Sequence, residues 1–184
     1  MSTAPNQRPP GAPGPIDDVG EFLAHALELE HESADHYEQL ADSMEIHHNQ
    51  EVAALFRRLA LLSHEHANSI GERADGVTLP RIAPWEFKWN CPGAPEGGDC
   101  LQGDVSYQMS AVRALELALH NETRGHAFYA HTASASGNAQ VRALAAEMSA
   151  EEAEHLTLLQ DLVAQERHRG DAPPEDLDPP HMPA

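Results

Sequence analysis

The chain contains one helical hairpin pattern twice, and this repeat limits its possible folds more than any other sequence feature. Steps of four and three residues place each set of side chains on one helix face. The first stripe and its copy 92 residues later are Leu23, Leu27, Glu30, Ala34, Tyr37, Ala41 and Leu115, Leu119, Glu122, His126, Tyr129, Ala133. The second stripe and its copy 89 residues later are Val52, Phe56, Leu59, Ser63, His66, Ile70 and Val141, Ala145, Met148, Glu152, His155, Leu159. The pattern predicts an all-α protein built from two helical hairpins.

Four helices are predicted, at about residues 18–46, 50–74, 111–136 and 139–169, with Asp17 or Asp18 and Ser110 as N-caps. The connection between the second and third helices, about residues 75–109, is too long for a simple turn. It allows the third helix to run parallel to the second, as in four-helix bundles with one long crossover, of which ferritin-like folds are an example. We therefore expect the bundle at 17–169 and disordered segments at 1–16 and 170–184, which are rich in proline.

Each stripe is apolar at both ends and polar in the middle. The middle positions, at equivalent levels of four facing helices, are Glu30, His66, Glu122, Glu152 and His155. Any one of these glutamates alone would be interpreted as part of a solvent-exposed helix surface. Three carboxylates brought together inside a bundle would repel one another, and a bound dication relieves that repulsion. Glu152 and His155 also lie about 60° apart on one helix, within reach of a common metal.

These segments resemble the rubrerythrin-type branch of the ferritin-like superfamily. The resemblance covers all four helices and is carried by ELEHESADHY at 28–37, LLSHEH at 61–66, NETRGHAFY at 121–129 and MSAEEAEH at 148–155. It implies a non-haem di-iron centre with oxygen ligands from the three glutamates and nitrogen ligands from His66 and His155. It also implies that ferrous ions are oxidised by hydrogen peroxide or dioxygen, a chemistry of oxidative stress, and that the bundle forms a homodimer.

Ser63 departs from that family pattern, because a bridging glutamate is expected at the position that matches Glu152. Glu65 does not replace it, since two residues correspond to about 200° of helix rotation. His126 stands where the first stripe has Ala34, one turn from Glu122. Two hypotheses stay open: His126 replaces the lost oxygen ligand as a metal ligand, or it is a hydrogen-bond partner behind the ligands. The departure also leaves open zinc, or a single metal, in place of two irons.

Tyr37 and Tyr129 lie one turn beyond Ala34 and His126 on the same stripes. They are candidates for a catalytic role as redox or electron-relay residues. The alternative is core packing with each hydroxyl hydrogen-bonded to a buried carboxylate.

Cys91 and Cys100 are the only cysteines, so the chain lacks the two Cys-x-x-Cys pairs of a rubredoxin module. We therefore expect electrons to come from an external donor. Each cysteine is either an ordinary thiol or a redox-active one.

A formal net charge of −19 argues against nucleic acid and anionic membranes as partners. The N-terminal segment has no apolar signal region, and no stretch has the length of a membrane span, so we expect a cytoplasmic protein with reduced thiols.

Two functional classes remain. One is an oxidoreductase of peroxidase or ferroxidase type, and the other is a metal-binding structural module whose altered site no longer turns over. An iron-storage cage is a weaker third reading, because nothing in the sequence identifies cage-forming surfaces.

Overall fold

The computed structural model describes residues 15–83, 86–88 and 109–171. Four helices make up these residues, and no strand occurs among them: α1 at Val19–Ile46, α2 at Gln50–Arg73, α3 at Ala111–Ala135 and α4 at Ala139–Asp171. The all-α fold and the four helical segments predicted from the stripes are confirmed, with boundaries that differ by one or two residues.

Side-chain caps fix where three of the helices begin. Asp18, Asn49 and Ser110 each accept a hydrogen bond from a backbone N–H of the first helical turn. Asp17, the other predicted cap of α1, has a different role. Its Oδ1 accepts from the N–H of Gly137 at 2.6 Å and from the Ser136 hydroxyl at 3.1 Å, which ties the start of α1 to the α3–α4 turn.

Cross-helix contacts define the topology. Pairs of contacting residues run in opposite directions along α1 and α2 (His64–Glu38, Arg57–Asp42). In the second hairpin, Arg167 near the end of α4 contacts Glu116 near the start of α3, so these helices are antiparallel too. The same antiparallel order relates α2 to α4, where Arg73 meets Glu147 and Arg169 meets Glu51. Helices α2 and α3 therefore run parallel, as the long connection predicted.

The two described ends of the α2–α3 connection lie at opposite ends of the bundle. Near its start, the Thr78 carbonyl packs against Gly20 at the beginning of α1. At its end, the Met109 carbonyl accepts a hydrogen bond from Asn49 in the α1–α2 turn. Helix α2 has 24 residues, so the chain travels about 36 Å between these points.

Two apolar clusters fill the bundle, one on each side of a polar layer. One cluster contains Phe56, Met44 and Leu115, and the other contains Phe22 and Val141. Burying such side chains supplies most of the driving force for helix packing, at about 1.5–3 kcal/mol for each large one. The predicted stripes, apolar at both ends and polar in the middle, are thus present in the structure.

The predicted disordered N-terminal segment is wrong at its last residue. Ile16 is 3% exposed and packs in the cluster of Phe22, because the Asp17 contacts hold the chain against the bundle. At the other terminus α4 extends to Asp171, two residues past the predicted end. Pro15 is exposed, and residues 1–14 and 172–184 lie outside the described part of the chain.

The crossover is described only in part. Phe87 packs edge-on against His25 of α1, with ring centroids 5.4 Å apart. Cys91 and Cys100, with Trp85 and Trp89, lie outside the described residues, so the predictions about the thiols stay predictions. Across the residues described here, none of the helices combines the length and apolar character of a membrane span.

Candidate metal centre

Three predicted ligands from two helices form a compact cluster in the polar layer. His66 of α2 and Glu152 and His155 of α4 each place one ligand atom within 4.8 Å of the others. The Nδ1 atom of His66 is 3.4 Å from Glu152 Oε1, and that of His155 is 4.0 Å from Glu152 Oε2. The two imidazole rings stack with centroids 4.5 Å apart. Two imidazoles and one carboxylate at this spacing are a ligand set that can hold a metal ion.

Helices α1 and α3 bring the other two glutamates to the same layer. Glu30 Oε2 lies 3.6 Å from His66 Nδ1, and both Glu30 and Glu122 line a cavity that His66 and His155 also line. All five residues predicted from the middle of the stripes therefore lie around one interior region.

Each glutamate of this pair is held by the tyrosine of the other hairpin. The Tyr129 hydroxyl donates to Glu30 at 3.0 Å, and the Tyr37 hydroxyl donates to Glu122 at 3.3 Å. Both tyrosines are 1% exposed. Burial and the neighbouring carboxylates raise the pKa of both phenols well above the usual range, so both stay protonated as donors. The hydrogen bonds of the packing interpretation are present, and a redox role stays a prediction.

In the metal-free site, burial and the contacts among these side chains shift the pKa of each. Burial raises the pKa of the Glu30 carboxyl and, together with the nearby Glu152 charge, raises that of Glu122 well above its ordinary range. Burial also opposes ionisation of Glu152, but contacts with His66 and Glu122 outweigh it and lower the pKa. For His66, burial is outweighed by contacts with Glu152 and Glu30, which raise the pKa to about 10.

One buried hydrogen-bond acceptor in this layer, the Oε2 atom of Glu152, has no hydrogen bond to the described residues. Glu152 is 3% exposed, and within the described residues no N–H or hydroxyl group donates a hydrogen bond to its Oε2 atom. A buried carboxylate oxygen without a donor is unfavourable, and coordination to a cation would satisfy it. The donor set and this oxygen both fit a bound metal, with Glu152 placed next to both imidazoles.

Ser63 lies where a bridging glutamate was expected, and it faces the same cavity as the ligands. The side chain is buried, at 5% exposure, and makes no hydrogen bond to the described residues. Replacing a glutamate by serine therefore removes one oxygen ligand and leaves space next to His66. The cavity has a volume of about 30 Å³, enough for more than one water-sized group.

The structure does not bring His126 to the cluster. His126 is partly exposed, does not line the cavity, and forms neither a hydrogen bond nor an ion pair with a candidate ligand in the described part of the chain. Neighbouring Gly125 is the residue that turns toward α1, where it faces Leu29. This rotation of α3 leaves both hypotheses for His126 without a contact to support them.

The leucines around the cavity were not predicted as functional residues. Leu55, Leu59 and Leu62 of α2 face Leu158, Leu159 and Leu162 of α4 above the two imidazoles. Their spacing of three and four residues resembles ordinary core packing. Only the pairing of α2 with α4 shows that these two leucine sets enclose a space over the ligands.

The fold and the site together define an all-α four-helix bundle with a candidate metal centre between its hairpins. A scan against protein-family models finds no match, and a search of curated proteins finds none either. Among solved structures, COG1633, an uncharacterized conserved protein from Magnetospirillum magnetotacticum MS-1, is 37% identical to the chain, with a TM-score of 0.64. The match covers 80% of this chain and 95% of that protein. The chain therefore belongs to the COG1633 family.

Proposed function

We propose that the protein is a non-haem di-iron oxidoreductase of the rubrerythrin type, in the ferritin-like superfamily. The observation that carries the proposal is the convergence of three glutamates and two histidines between two apolar clusters. His66, Glu152 and His155 would hold one iron, and Glu30 and Glu122 would complete the site for the second. When bound, such an iron pair supplies two electrons to hydrogen peroxide or dioxygen.

The surrounding residues support this chemistry in three ways. The tyrosine hydroxyls orient Glu30 and Glu122, so these carboxylates need little rearrangement when a cation enters. The apolar clusters limit access of water from both ends of the bundle. The three carboxylates can balance three of the four positive charges of two ferrous ions. Electrons for turnover would come from an external donor, and a homodimer is the proposed assembly.

Ser63 favours a second candidate function, a metal-binding structural module that does not turn over. With one bridging oxygen absent, a single metal or zinc could occupy the His66–Glu152–His155 cluster and stabilise the bundle without redox chemistry. The two candidates differ in metal stoichiometry and in the response of the ferrous protein to oxidant.

The test is metal analysis followed by anaerobic reaction of the ferrous protein with hydrogen peroxide or dioxygen. Binding of two irons per chain and oxidation much faster than that of free Fe(II) are expected for the oxidoreductase. The Glu152→Gln variant should lose both, whereas Glu154→Gln, an exposed position on the same helix, should retain both.

The Ser63→Glu variant separates the two candidates. If the wild-type protein binds one metal and does not oxidise it, while Ser63→Glu binds two irons and reacts, the site is a structural one that lost its activity with the bridging ligand. If both proteins react, the oxidoreductase proposal stands. If neither reacts, it fails.

A further inference from the structure

The candidate centre is partly exposed on the side of its two imidazoles. The side chains of His66 and His155 are 19% and 23% exposed, whereas those of Glu30 and Glu152 are 7% and 5% exposed. The two imidazoles line the cavity between α2 and α4. A small molecule entering there would therefore reach the imidazole side of the cluster first.

The opposite side, between α1 and α3, is closed. Tyr37 and Tyr129 are fully buried and hydrogen-bonded across the two helices, and Ala34 between them is 0% exposed. The α2–α4 cavity is thus a passage that the packing leaves to the centre.

Apart from the candidate ligands, Ser63 and the charged side chain of Arg58, the walls of this passage are apolar. The six leucines that line it come from one face of each helix: Leu55, Leu59, Leu62, Leu158, Leu159 and Leu162. Leu158 at the outer end is 47% exposed, while Leu59 and Leu159 further in are 7% and 3% exposed. Hydrogen peroxide would give up hydrogen bonds to water on entering such a space, whereas an alkyl group would gain by leaving water.

Space for a substituent exists next to the ligands. Ser63 is shorter than the glutamate expected there, and the cavity beside it continues into the leucine walls. Its hydroxyl is the polar group on the α2 wall between Leu59 and His66, and it can donate a hydrogen bond to an oxygen atom of a bound molecule.

We propose that the α2–α4 cavity is a substrate pocket for small organic hydroperoxides, with the alkyl group against the leucines and the peroxide oxygens next to Ser63, His66 and His155. This inference rests on the proposed function. The O–O bond of ROOH breaks, two electrons and two protons are taken up, and ROH and water are released. The electrons come from two ferrous ions, which are oxidised to ferric ions.

The first test compares oxidants on the anaerobic ferrous protein. For each oxidant, the rate with the ferrous protein is divided by the rate with free Fe(II). This ratio is expected to be about tenfold or more higher for tert-butyl hydroperoxide than for hydrogen peroxide. Leu62→Asn should reduce this preference by about tenfold. Leu158→Asn should have the same effect, and its exposed position should tolerate the substitution. Leu61→Asn is the matched control, because Leu61 is 58% exposed on α2 and does not line the cavity.

The second test needs no metal and no turnover. Tert-butyl alcohol, the product of that reaction, is titrated into metal-free protein while leucine methyl resonances are followed by NMR. Saturable shifts are expected at the six cavity leucines, weakened in Leu158→Asn and unchanged in Leu61→Asn.

Absence of saturable shifts, or shifts at other sites only, would overturn the pocket. Equal or faster reaction with hydrogen peroxide, or reaction with dioxygen alone, would also overturn this inference while leaving the di-iron oxidoreductase in place. A protein that binds the alcohol but reacts with no oxidant has an apolar ligand site, and the proposed function and this substrate assignment both fail.

Discussion

His66 lies between two buried carboxylates, those of Glu30 and Glu152. The stability of the metal-free protein therefore depends on whether His66 is protonated. The pKa of His66 is raised from about 6.5 to about 10 in the folded state. A group whose pKa is higher in the folded state than in the unfolded state contributes its full stabilisation at pH values below the unfolded-state pKa. The stabilisation is then lost as the pH rises through the folded-state value.

We therefore expect metal-free protein to lose stability between about pH 6.5 and pH 10, with a slope of at most about 1.4 kcal/mol per pH unit from this one proton. Urea unfolding at several pH values measures the slope. It should become shallower in His66→Asn and stay unchanged in His64→Asn, a half-exposed neighbour on the same helix. Equal slopes in wild type and His66→Asn would contradict the assignment.

At the same scale, the sequence was sufficient to predict which residues meet in the polar layer but not the surroundings of each. Glu152 and His155 are three residues apart on one helix, so helix geometry alone predicts that they can meet at one metal. His126 is different, because its orientation depends on how α3 rotates against α1. That rotation brings Gly125 to face Leu29, a fit between two helices that the periodicity of one helix does not contain.

At the scale of elements, the N-terminus of α1 depends on the segment that follows α2. A Cβ atom at Gly20 would lie well inside van der Waals contact with the Thr78 carbonyl oxygen, which is backbone and cannot move aside easily. Gly71, inside α2, has no neighbour within 4 Å of such an atom. The two glycines therefore provide a matched pair for substitution by alanine.

Gly20→Ala is expected to destabilise the protein by about 1–3 kcal/mol, because the added methyl forces the Thr78 segment away from α1. Gly71→Ala is expected to stabilise it by about 0.5–1 kcal/mol, since alanine is the better helix former. Chemical denaturation of both variants tests this. A Gly20→Ala protein as stable as Gly71→Ala would show that the segment is not held against α1.

The starts of α1 and α3 were predictable because their caps, Asp18 and Ser110, are encoded locally. The role of Asp17 was not, since its partners Ser136 and Gly137 lie about 120 residues away in the sequence. Ile16 becomes buried for the same reason. Contacts that close the chain on itself at such separations leave no periodic pattern in the sequence.

For the whole molecule, metal binding should couple the two hairpins, because α2 and α4 supply ligands from different halves of the chain. A ligand that binds only the folded state stabilises it by about 2.7 kcal/mol at one hundred times its Kd. Anaerobic Fe(II) should therefore raise the Tm of the wild-type protein, and a chelator should reverse the shift. Differential scanning calorimetry measures both steps.

Glu152→Gln should abolish the shift in Tm, and Glu154→Gln should preserve it. A metal-induced shift that persists in Glu152→Gln would place the bound ion elsewhere on the acidic surface. In that case the cluster of His66, Glu152 and His155 would have to be reinterpreted as a set of ion pairs.

Tyr37 donates a hydrogen bond to Glu122, and Tyr129 donates one to Glu30. The buried carboxylate of each half of the chain is therefore held by a tyrosine of the other half. Neither half is self-sufficient, because its own glutamate would be buried with no phenol to hold it. A chain with one such half could build the same centre only by pairing with an identical molecule about a two-fold axis. Within one chain the two halves need not be identical, and Ser63 and Glu152 at equivalent positions are such a difference.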